Sequence, residues 1–135
     1  MKTLVLVSIS LILMVACQDE PISEIFELNE EKVFMVNHEY ELAGKNLQVK
    51  VTKIEDSRCP SDVVCVWQGE AKVTVATEQA GNFSTILSTY DNLIDTLGDY
   101  SIELISIQPY PVSDKVIKSE DYDVKLKINM IFKED

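Results

Sequence analysis

Hydrophobic and polar residues alternate with a period of two along most of the chain. Leu47, Val49 and Val51 alternate with Gln48, Lys50 and Thr52, and Ala71, Val73 and Val75 with Glu70, Lys72 and Thr74. The longest case lies near the C-terminus, where Tyr122, Val124, Leu126, Ile128, Met130 and Phe132 fall on one face. Asp123, Lys125, Lys127, Asn129 and Lys133 fall on the other, interrupted only by Ile131. Successive side chains of a strand point to opposite faces, so each run predicts a strand with one buried and one wet face. Tyr100–Gln108 carries Ile and Leu on both faces and predicts a central strand. Val33–Val36, Glu39–Leu42, Phe83–Ser88 and Leu93–Leu97 are shorter candidates.

Turn residues separate these runs: Ala43-Gly44-Lys45-Asn46, Ala80-Gly81-Asn82, and Gly98-Asp99, which predicts a tight hairpin. Beyond the N-terminal run there is no long apolar stretch of period 3.6, and Ser113–Asp121 has room for one short helical turn. The expected fold is all-β: a single antiparallel β-sandwich or small barrel of about seven or eight strands. No repeat or low-complexity tract divides it.

The N-terminus breaks the pattern. Lys2 precedes a largely apolar run from Leu4 to Val15, too short for a comfortable membrane span and of the right length for a signal peptide. Ala16 is the small residue needed before a cleavage site, and Cys17 follows directly. Met14-Val15-Ala16-Cys17 resembles the lipobox of bacterial lipoproteins, with Met14 standing where leucine is usual. The resemblance implies that residues 1–16 are a signal peptide and that Cys17 carries the lipid. The membrane is then a partner through that lipid, and the expected location is the cell envelope, at the outer membrane. Residues 17–31 read as the lipidated N-terminus and an acidic spacer, with a first edge strand at its end, and 32–135 as the folded domain. Gln18-Asp19-Glu20 also resembles the acidic export signal that sends some lipoproteins to the cell surface.

The formal net charge is −11, and loss of Lys2 with the signal brings it to −12. A phosphate backbone is bound through a basic face, so this balance excludes nucleic acid as the expected partner. It favours a self-repelling surface or a site for cations and basic partners.

With Cys17 lipidated, Cys59 and Cys65 form a pair within Asp56-Ser57-Arg58-Cys59-Pro60-Ser61-Asp62-Val63-Val64-Cys65-Val66-Trp67-Gln68-Gly69. Outside the inner membrane a disulfide is the expected state. The bridge is expected to fix the entry to a strand beginning near Cys65, with Trp67 on the face shared by Ala71, Val73 and Val75. Five residues separate the cysteines, where redox dithiols have two, and His38 is the only histidine, so neither redox nor metal chemistry is expected. Arg58 beside a bridged, proline-bearing turn raises an alternative, an exposed basic bait for a protease.

Asp56-Ser57-Arg58-Cys59-Pro60, Cys65-Val66-Trp67 and Gly69, followed by Tyr100, Pro109-Tyr110-Pro111 and Asp121-Tyr122, resemble a widespread group of small bacterial secreted proteins and lipoproteins. The match runs through residues 33–132 and implies an all-β domain. No activity is established for that group.

Asp56, Arg58, Asp62 and Trp67 are a candidate binding patch beside the bridge, since an Arg–carboxylate pair near an aromatic is a common recognition corner. The competing reading is that Arg58 pairs with Asp56 or a carbonyl and holds the loop. Asp91, Asp95 and Asp99 do not follow the EF-hand pattern, leaving only a weak surface calcium site to consider. The chain has no Gly-x-Ser-x-Gly, no metal-binding histidine pair and no phosphate loop. The expectation is a non-catalytic binding or structural module, without cofactor or metal, for a protein or glycan ligand. The alternative is a small envelope enzyme or a protease inhibitor built on the Cys59–Cys65 loop.

Overall fold

The computed structural model describes residues 23–78 and 82–131. The signal segment, Cys17 and the acidic triplet lie outside the described residues, as does Phe132. Among the described residues there are nine strands: β1 (Glu24–Phe26), β2 (Glu31–Met35), β3 (Glu39–Leu42), β4 (Gln48–Asp56), β5 (Ala71–Glu78), β6 (Asn82–Ser88), β7 (Ile94–Leu97), β8 (Tyr100–Gln108) and β9 (Asp123–Met130). One 3-10 turn, Ser119–Asp121, precedes β9.

The strands form two packed sheets, ordered β1-β3-β4-β5-β6 and β2-β9-β8-β7. The fold is therefore an open sandwich rather than a barrel, with one or two strands more than expected. The added pairing is β1 on the edge of the larger sheet. It runs parallel to β3, with Glu24 opposite Tyr40, so the sheet is not purely antiparallel.

The alternating residues fill the space between the sheets. Tyr40, Leu42, Val49, Val51, Val73, Val75 and Leu87 come from one sheet, and Phe34, Ile102, Leu104, Ile107, Val124, Leu126 and Ile128 from the other, all buried. Phe34 of β2 reaches across to Phe26 and Tyr40, with ring centroids 5.5 and 4.5 Å away. The Tyr40 hydroxyl accepts the Met35 N–H at 2.9 Å, so its polar atom is satisfied inside the apolar layer.

Two β-bulges explain where the alternation changes phase. Between Val51 and Lys53 the register with β5 slips by one residue. Thr52 and Lys53 both remain outside and Ile54, not Lys53, turns into the core. A second slip between Leu104 and Ser106 places Ile105 on the surface and Ile107 inside. The apolar character of β8 on both faces thus arises from the bulge as well as from its place between β7 and β9.

The two ends of the sandwich differ. At one, Gly98-Asp99 alone links β7 to β8, with Leu97 opposite Tyr100. Gly98 has φ +62° and Asp99 does not share a positive φ, the arrangement of a II′ hairpin. At the other end lie the two long connections, residues 57–70 between β4 and β5 and residues 109–122 between β8 and β9. These two pack on each other.

Candidate functional site

The β4–β5 connection begins as an irregular continuation of the hairpin. The Ser57 N–H donates to the Glu70 carbonyl and the Cys59 N–H to the Gln68 carbonyl, each at 2.8 Å. Gly69 allows this approach. Its φ is +66°, and a Cβ there would lie 1.9 Å from the Ser57 carbonyl oxygen. No other residue type fits without displacing backbone. Beyond this neck, Cys59 and Cys65 are joined by a disulfide with Cα atoms 5.9 Å apart.

Arg58 and Asp56 fasten the neck to the opposite sheet. Their side chains are only 8% and 5% exposed, and they meet in a two-pronged pair, Nε to Oδ1 at 2.9 Å and Nη2 to Oδ2 at 2.6 Å. Two more guanidinium N–H groups serve backbone of the β8 exit: Nη1 to the Ile107 carbonyl at 3.0 Å and Nη2 to the Pro109 carbonyl at 3.1 Å. The Tyr110 ring covers the guanidinium at 4.5 Å. The Tyr122 hydroxyl donates to Asp56 Oδ2 at 3.0 Å and the Arg58 N–H to Oδ1 at 3.1 Å. Burial pushes the Asp56 carboxyl up, but the Arg58 side chain and backbone N–H and the Tyr122 hydroxyl outweigh it, leaving its pKa below the ordinary value. Tyr122 is pushed up to about 12, by burial and by the hydrogen bond to the Asp56 carboxylate.

Further out, the loop is tied to residues 111–113. The Ser61 N–H donates to the Pro111 carbonyl at 3.0 Å. Ser113 donates to the Asp62 carboxylate through its N–H, at 2.8 Å, and through its hydroxyl. Those two bonds hold the Asp62 pKa below its usual range.

The candidate patch therefore divides by task. Asp56 and Arg58 are internal fasteners, each bonded through its side chain to the other and to the opposite sheet, and Asp62 is an external one. A protease bait needs an exposed basic side chain, so the burial of Arg58 removes the basis for that reading. Trp67 departs from expectation in the other direction. It does not pack with Ala71, Val73 and Val75, because β5 begins only at Ala71 and residues 57–70 lie beyond the sheet. Trp67 is 82% exposed, Val64 and Val66 almost wholly exposed, and Val63 about half exposed. The bridge stabilises a projecting loop and not the first residues of a strand.

Trp67 forms one wall of an open cleft of about 420 Å³, whose lining includes Gln68, Glu70, Tyr90 and Asp91. Tyr90 belongs to the β6–β7 connection and is itself 64% exposed. Glu70 receives the Ser88 hydroxyl and pairs with Lys72 at 2.9 Å, and both contacts lower its pKa. His38, in the β2–β3 connection, does not line this cleft. Asp91, Asp95 and Asp99 are spread over a connection, a strand and a turn, and Asp95 accepts from the Thr85 hydroxyl and the Thr96 N–H. Among the described residues no three His, Cys, Asp or Glu side chains are grouped to hold a metal ion.

Sequence reasoning missed Tyr90, the Tyr122 hydroxyl and the Tyr110 ring as members of this end. The signal for Tyr122 was its place at the head of a buried face, where a phenol needs a partner. Nothing local marks Tyr90. Comparison with family models, curated proteins and solved structures finds no match to this chain.

Proposed function

We propose that the chain is a lipid-anchored envelope protein, attached through Cys17, whose β-domain acts by binding, with the tip of the bridged loop as its contact surface. The anchor rests on the lipobox resemblance of Met14-Val15-Ala16-Cys17. The binding reading rests on one observation: Val63, Val64, Val66 and Trp67 are held out in solvent on a loop fixed by a disulfide and by hydrogen bonds to residues 107–113. Exposed apolar groups on a mobile loop lose conformational freedom on binding. Here much of that ordering is complete before the partner arrives. A tryptophan flanked by smaller apolar side chains is also the composition of binding hot spots. The partner class on this reading is a protein or a glycan of the envelope.

The test is photo-crosslinking in the native cell, with a photoreactive residue at Val64 or, as control, at Lys45 in the turn between β3 and β4. A discrete adduct from position 64 and none from position 45 supports the reading. Equal, diffuse labelling from both positions, or none from 64, refutes it. The anchor is tested separately by fractionating a Cys17→Ser variant, which is expected to leave the membrane; retention there contradicts lipidation.

A further inference from the structure

Trp67 is the only tryptophan of the chain, and the cleft it walls has a definite chemistry. Two exposed aromatic side chains, Trp67 and Tyr90, line it together with the carboxylates of Glu70 and Asp91. Lys72 beside it is paired with Glu70 at 2.9 Å and Lys53 with Glu55 at 2.9 Å, so with Asp91 three carboxylates face two ammonium groups and the patch stays negative. Asp91 lines the cleft and also attracts the Lys72 ammonium from a greater distance than Glu70 does.

We propose that this cleft receives a guanidinium or ammonium group presented by a basic segment of a partner protein. The cation lies against Trp67 and Tyr90, and Glu70 and Asp91 supply the counter-charge. The inference rests on the reading of the bridged loop as the contact surface and names the chemistry of its partner. A cation is attracted to the face of an aromatic ring, most strongly to tryptophan. The same end of the molecule already contains such a seat, where the Arg58 guanidinium lies 4.5 Å from the Tyr110 ring centre and is paired with Asp56. At a net charge of −11 the whole chain attracts basic partners and steers their approach. A neutral sugar could stack on Trp67 but would leave the charge of the cleft unused.

Trp67 emission reports on this site alone. The test titrates the full chain in detergent with three probes: an acetylated, amidated hexapeptide of alternating arginine and glycine, the same peptide with citrulline for arginine, and a neutral oligosaccharide. The arginine peptide is expected to give a saturable change that weakens with salt, and the citrulline peptide and the sugar none. A Glu70→Gln, Asp91→Asn double variant is expected to bind the arginine peptide about tenfold more weakly, within the range for two exposed charge pairs. Tyr90→Leu, which keeps bulk without the ring and touches neither carboxylate, is expected to weaken it as well. Equal response to the citrulline peptide, response to the sugar alone, or no response to any probe overturns the proposal. If position 64 still crosslinks to a partner in that case, the contact surface stands and only its cationic ligand is lost. Absence of that crosslink defeats the contact surface itself.

Discussion

The two ends of the sandwich reverse the chain by different means. Between β7 and β8 two residues suffice, Gly98 and Asp99, and nothing lies within 4 Å of where a Cβ on Gly98 would stand. Between β4 and β5 the same topological task takes residues 57–70. That connection carries a disulfide, a buried ion pair and a glycine pressed against Ser57. A hairpin needs none of this. The long end also leaves its largest apolar side chain, Trp67, in water while burying Arg58 and Asp56. That inverts the usual order, in which charged groups face solvent and large apolar ones the core. The inversion makes sense if the charged pair is the fastening and the apolar tip is what the fastening presents.

The largest expected effect is at that fastening. Arg58→Ala leaves the buried Asp56 carboxylate without its partner, and such losses destabilise by about 3 kcal/mol or more. Equilibrium denaturation checks it. Gly69→Ala follows, at about 3 kcal/mol, because a left-handed φ and a backbone collision act together. Gly98→Ala carries only the first of these and is expected near 1 kcal/mol. If the two glycine variants lose the same stability, the contrast between the ends is wrong. Cys59→Ser with Cys65→Ser is expected to lose about 2 kcal/mol through a freer unfolded chain, measured against the oxidised protein by the same denaturation.

Tyr122→Phe sharpens the picture of the clamp. It removes one hydrogen bond to Asp56 and is expected to lose about 1 kcal/mol near neutral pH. Tyr122 has a raised folded pKa, about 12, so its contribution is fully present below the unfolded value of about 10 and lost as pH rises through 12. Asp56 has a lowered folded pKa. Its contribution is present above the unfolded carboxyl value and lost as pH falls through the folded one. Stability measured against pH in the parent should decline at both extremes, and the Phe variant should lose the part of the alkaline decline that comes from residue 122.

Much of the sandwich was legible because one buried face per strand imposes period two. Glu39–Leu42 is the strand expected, and Gly98-Asp99 the hairpin turn expected. Reading failed where a run of apolar residues was not a strand. Val66 and Trp67 read as the start of one, but β5 begins only at Ala71 and both side chains stand in solvent. The parallel pairing of β1 was hidden because three residues carry too little pattern. At the site, the Asp56–Arg58 pair was readable from its spacing of two. Its other partners, Ile107, Pro109 and Tyr122, are 49 to 66 residues away and come together only in the fold.

The smallest expected effect tests the central claim, that the tip of the bridged loop is presented by the fold and does not hold it. Val64→Ser, Val66→Ser and Trp67→Ala combined remove three apolar side chains from a domain of ordinary size. Because all three stand in solvent, the free energy of unfolding followed by circular dichroism is expected to stay within about 0.5 kcal/mol of the parent for each exposed site. A loss of several kcal/mol would show that these side chains pack within the domain and would contradict the account.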